Sequence, residues 1–135
     1  MLTDAVGSDL LQERGALPRA QDVGIPAASS DWLFRKAPLY LTEAVGSVTL
    51  TVPDDGKQFL LWVPSEAWVG AGAQVDDKRP WVTARLTASG CSDSVVGFFG
   101  GLLTLDPQHC FPLTIDQEHM PEQRLMIRGA GGSCP

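Results

Sequence analysis

From Trp32 onward, no apolar run in this chain goes far before a Gly, Pro or Asp cluster interrupts it. Runs that short do not build a long amphipathic helix, but they match the span of a β-strand. Ser47 to Val52 shows the pattern best: Val48, Leu50 and Val52 share one face, and Ser47, Thr49 and Thr51 the other, as in a half-buried strand. Pro53-Asp54-Asp55-Gly56 follows as a turn. Asp-Gly favours positive φ, so Gln58 to Val63 is expected to fold back as the hairpin partner. Within it, Phe59-Leu60-Leu61-Trp62-Val63 is apolar without alternation, which suits a strand covered on both faces or shielded by a loop.

The rest of the chain has the same texture. Pro38 to Thr42 reads as a strand. Trp81 to Ala88 alternates, with Val82, Ala84, Leu86 and Ala88 on one face and Thr83, Arg85 and Thr87 on the other. Val95 to Phe99, Leu102 to Leu105, Phe111 to Ile115 and Arg124 to Ile127 give four more short strands, the first two separated by Gly100-Gly101. Ser65 to Trp68 reads as one helical turn capped by Ser65, and Gly70 to Arg79 as a polar loop. The expected fold is all-β, a two-sheet antiparallel sandwich, immunoglobulin-like or jelly-roll-like, of about seven or eight short strands. At 135 residues there is room for one such domain. It is placed at 32–129, behind an irregular N-terminal arm (1–31), flexible or loosely docked, and before a Gly-rich frayed tail (130–135).

Charge narrows the partners. The net charge is −6, and the ten Lys and Arg residues form no stripe that could neutralise phosphates, so nucleic acid and anionic lipid surfaces are disfavoured. No stretch approaches the roughly 20 apolar residues of a membrane span. Met1 to Asp9 carries acids where a secretory signal has a basic segment.

Candidate chemistry is sparse. Of the four tryptophans, Trp32, Trp62, Trp68 and Trp81, the pair Trp68 and Trp81 flanks a polar loop and is a candidate ligand platform, since indoles stack on sugar rings; core and rim packing is the stronger explanation and accounts for most tryptophans in small sandwiches. Asp54-Asp55 and Asp76-Asp77 fall in expected turns, where Asp accepts backbone hydrogen bonds. A hydrolase would need the Asp76-Asp77 loop and the Asp116 to Glu122 loop to share a cleft. His109 abuts Cys110, and adjacent strand positions face opposite ways, so they form no nucleophile couple. Neither a metal site nor a cofactor is expected, because the Cys and His residues are too few and too widely spaced for zinc. Gly97-Phe98-Phe99-Gly100-Gly101 reads as a bend or bulge beside bulky core residues.

Three cysteines remain, Cys91, Cys110 and Cys134. Cys91 and Cys110 lie 19 positions apart at the edges of apolar runs, which suits a disulfide between neighbouring strands; two reduced buried thiols are the alternative. That pairing leaves Cys134 as a free thiol or an intermolecular bridge, the basis for expecting a Cys134-linked dimer.

Gly90-Cys91, Phe98-Phe99-Gly100-Gly101, Asp106-Pro107 and Cys110 before an apolar strand also form a pattern together with Phe34-Arg35-Lys36-Ala37-Pro38-Leu39 and the Val48 to Pro53 strand. Over Phe34 to Ile115 the chain resembles small secreted or envelope β-sandwich domains of high-GC Gram-positive (actinobacterial) bacteria, which generally have no assigned activity. The resemblance implies a Cys91–Cys110 bridge and an extracytoplasmic location. The expected function is a non-catalytic extracellular or cell-envelope module, serving as an accessory or interaction domain toward a protein or cell-wall polymer. Alternatives are a carbohydrate-binding module using Trp68 and Trp81, and a cytosolic acidic protein that binds a basic partner.

Overall fold

A computed structural model of the chain describes residues 10–23, 31–41, 46–64, 82–89 and 96–135. Nine strands run through the described residues: β1 (Leu33–Lys36), β2 (Leu39–Leu41), β3 (Ser47–Thr51), β4 (Gln58–Pro64), β5 (Val82–Thr83), β6 (Arg85–Ser89), β7 (Val96–Thr104), β8 (Cys110–Gln117) and β9 (Gln123–Arg128). They form two antiparallel sheets packed face to face. One has the order β1-β7-β4-β5, with β2 also paired to β7; the other has the order β6-β3-β8-β9. The chain is a two-sheet β-sandwich.

Alternation decides which side chains fill it. Val48, Leu50 and Val52 from β3 and its end meet Phe111, Leu113 and Ile115 of β8, Ile127 of β9, and Leu60, Trp62 and Leu102 from the opposite sheet. The Trp62 indole donates from Nε1 to the Ala37 carbonyl at 2.7 Å, so its burial leaves no polar atom stranded. Leu61, Phe34 and Leu103 point the other way, into a second cluster with Ala20 on the outer face of the five-stranded sheet; Trp32, Phe59 and Val82 pack against it. This explains the unbroken apolar run of β4, which is covered on both faces.

Four expectations about connectivity and boundaries are corrected. First, β3 and β4 are not a hairpin: β3 pairs with β6 and β8, while β4 pairs with β5 and β7. The Pro53 to Gly56 turn arches from one sheet to the other. Val52 has already bonded to Ala84, and a strand apolar on both faces cannot sit beside β3, whose outer face is polar. Second, β7 runs through Gly100-Gly101 as one strand. A Cβ at Gly100 would collide with the Leu61 carbonyl of β4, and one at Gly101 with the Arg35 carbonyl of β1, so these glycines permit close strand approach. Third, the Trp81 to Ala88 run breaks at Ala84. Val82 reaches the outer cluster, whereas Leu86 and Ala88 face the inter-sheet core.

The fourth correction concerns the frayed tail and the domain bound at Trp32; the described part of the arm is docked, one of the two alternatives expected of it. Within the described part of the arm, Leu10 lies in the inter-sheet core and Pro18 to Ala20 pair with the edge of β1: Phe34 N–H donates to the Pro18 carbonyl at 3.0 Å and Ala20 N–H to the Trp32 carbonyl at 2.9 Å. Arg35 is 1 % exposed and donates to the carbonyls of Arg128 (3.2 Å) and Gln12 (3.1 Å). The Gly-rich tail is docked as well. Ala130 N–H bonds to the Pro107 carbonyl, Gly132 N–H bonds to the Leu11 carbonyl, and Ala130 is buried. Apolar anchors and backbone pairing outweigh the glycines' freedom here.

Candidate functional site

The cysteines join differently from the expectation. Cys110, at the start of β8, is bridged to Cys134 with a Cα–Cα distance of 6.1 Å. That excludes the Cys91–Cys110 pairing implied by spacing and by the family resemblance, and Cys134 is neither free nor available for a dimer bridge. Cys91 lies outside the described residues. The cause is the backbone after β9: Gly129 N–H bonds to the His109 carbonyl, and positive φ at Gly131 and Gly132 turns the chain back toward β8. The Gly131-Gly132 pair, which begins three residues after Arg128 at the end of β9, was the available signal, and it reads just as easily as fraying.

Trp68 and Trp81, the possible ligand platform, lie outside the described residues, as do Asp76, Asp77 and the Ser65 to Arg79 segment. Trp62 is fully buried and Trp32 packs against Phe59 at a ring-centroid distance of 5.3 Å, so both described tryptophans are packing residues. His109 stacks on Phe111, and the neighbouring Cys110 is oxidised and offers it no thiolate. Asp55 plays the turn role expected of it: its Oδ1 accepts from Lys57 N–H at 3.1 Å and from Gln58 Nε2 at 2.7 Å. The Lys57 backbone bond is the main reason its carboxyl titrates below the usual 3.8. Among the described residues, no group of three or more His, Cys, Asp and Glu side chains could hold a metal ion, and no helix is long and apolar enough to cross a membrane.

What the fold does assemble is the outer face of the four-stranded sheet. Registers β6–β3, β3–β8 and β8–β9 place Arg85, Thr51, Thr114 and Arg124 in one row across all four strands. With strands about 4.8 Å apart, the two arginines stand about 14 Å from each other. The adjacent row holds Thr87, Thr49 and Asp116, in which the Thr49 and Thr87 hydroxyls are hydrogen-bonded at 3.0 Å. Glu118 follows at the end of β8, accepting from Ser47 N–H through Oε2 at 3.3 Å and lying 3.4 Å from His119 Nε2 through Oε1. Ser47, Thr49, Asp116 and Glu118 line a shallow depression of about 330 Å³.

Chemically, this face offers hydroxyls, two guanidinium groups and two carboxylates on a flat, rigid support. It can hydrogen-bond and pair charges with a polar partner over several strands. The alternation of β3 and β6 already put Thr49, Thr51, Arg85 and Thr87 outward, but Thr114 and Arg124 join them only through strand order, which no local pattern encodes. On the opposite side, Arg14, Ala16, Pro18, Val23, Phe34 and Lys36 line a more apolar groove of about 420 Å³ where the arm crosses β1. In comparison with known proteins, the chain matches no family model, no curated protein and no solved structure.

Proposed function

We propose that this protein is a non-catalytic interaction module of the cell envelope or extracellular space, contacting its partner through the outer face of the four-stranded sheet. The observation that carries the reading is the Cys110–Cys134 bridge, which pins the C-terminal segment to β8 and is a bond that persists in oxidising compartments. The polar face supports it further: hydroxyls and opposite charges on rigid strands suit recognition of a protein surface or a polar polymer.

The test is the intact mass of natively produced protein after thiol alkylation, with and without reduction. One blocked thiol without reduction, three after it, and a Cys110–Cys134 linked peptide are the expected results. Three free thiols in native protein would overturn the extracytoplasmic reading. For the contact surface, a photo-crosslinker at Thr51 should give adducts on intact cells, and the same probe at exposed Lys57 should not; equal yields would remove the assigned face.

A further inference from the structure

The edges of the sandwich are treated unequally. Pro18 to Ala20 pair with β1, whereas β9 has no strand beside it among the described residues. The register shows which backbone groups this leaves. Gly129 N–H donates to the His109 carbonyl, so the pairs in phase with it, Ile127 with Phe111, Leu125 with Leu113 and Gln123 with Ile115, exchange the ladder bonds to β8. Arg124 and Met126 therefore turn their N–H and C=O groups away from the sheet. Arg128 shares their phase, but its carbonyl is taken by Arg35 and by Gly131 N–H.

Side chains along this edge differ by face. Leu125 lies on the inner side, partly buried against the inter-sheet core, while Arg124 and Met126 lie on the outer side, Met126 at 48 % exposure. No acid occurs between Gln123 and Arg128, although the whole chain carries −6. A second copy of β9 would pair badly: in an antiparallel arrangement centred on Met126, Arg124 of each copy stands opposite Arg128 of the other.

We propose that the Arg124 to Met126 edge binds an extended peptide of alternating acidic and apolar residues, which adds to the four-stranded sheet as a fifth strand. Main-chain bonds to Arg124 and Met126 hold it; its apolar side chains continue the inner face beside Leu125, and its acids face Arg124. This rests on the interaction-module reading and names a partner chemistry for it.

A labelled peptide of alternating Val and Glu tests it by fluorescence anisotropy, with amide exchange read at each residue of β9. Saturable binding with slowed exchange at Arg124 and Met126 is expected. Met126→Pro removes an N–H that points away from β8, so the fold is kept and binding should fall about tenfold or more. Arg124→Glu should weaken the Val/Glu peptide and favour its Val/Lys counterpart. Absence of binding, equal binding of both peptides, or binding indifferent to both substitutions would overturn the proposal, as would a dimer of the protein occupying the same edge. Thiol counting is independent of all these readouts, so failure here is distinguishable from failure of the envelope assignment.

Discussion

At the scale of single residues, two positions do more than their sequence context announces. Arg35 is buried between the arm, the end of β9 and the C-terminal turn, and its guanidinium supplies donors to the Gln12 and Arg128 carbonyls. Arg35→Ala leaves the Gln12 carbonyl without that donor and opens a cavity, so a loss of about 3 kcal/mol is expected in urea unfolding. Gly100 has φ +142° and abuts the Leu61 carbonyl. A methyl there must displace the backbone of central strand β4, so Gly100→Ala should cost about 3 kcal/mol or more, or prevent folding. Gly56→Ala is the matched comparison: φ is +78° but no atom lies within 4 Å of the added carbon, and about 1 kcal/mol is expected. Neither role could be read in advance. A Gly-Gly pair in an apolar run looks like a break between strands until the neighbours on both sides are known, and an Arg beside Phe34 looks like a surface charge.

Among elements, the strands were legible and their partners were not. Val48, Leu50 and Val52 announced the buried face of β3, and the run from Phe59 to Val63 announced a strand covered twice. The turn between them, Pro53 to Gly56, has hairpin chemistry yet serves an arch, because sheet membership depends on what each strand's second face must touch. The tail's docking was illegible for a related reason. Arm and tail hold each other: Gly132 N–H reaches the Leu11 carbonyl, and the tail is fixed by the Cys110–Cys134 bridge across 24 positions. Cutting the bridge should therefore loosen both ends. Cys134→Ser and Cys110→Ser are each expected to cost about 3 kcal/mol, the loop-closure value for such a span, and to speed amide exchange at Gly132 and Ala20 together. Cys91→Ser should leave exchange at both positions unchanged. Faster exchange at Gly132 alone would mean that the arm docks independently of the tail.

For the whole molecule, the question is whether net charge or edge chemistry keeps copies of this protein apart. The chain carries −6, which repels like copies at long range. At physiological ionic strength, however, exposed charges are screened beyond about 8 Å, so an approaching strand senses the side chains of β9 rather than the total. Those side chains are Arg124 and Arg128 around an exposed Met126, and in register they set cation against cation. Arg124→Val makes the two accounts disagree. It raises the net charge to −7, which should favour the monomer if the total governs, and it leaves an apolar edge beside Met126, which should favour pairing if the edge governs. Sedimentation velocity is expected to show a concentration-dependent dimer for Arg124→Val at physiological salt and a monomer for the parent protein. Adding Met126→Pro to the valine variant should restore the monomer, because the outward N–H needed for strand addition is gone. A valine variant that stays monomeric would assign the separation of copies to net charge, leaving the arginine at this edge free to serve recognition alone.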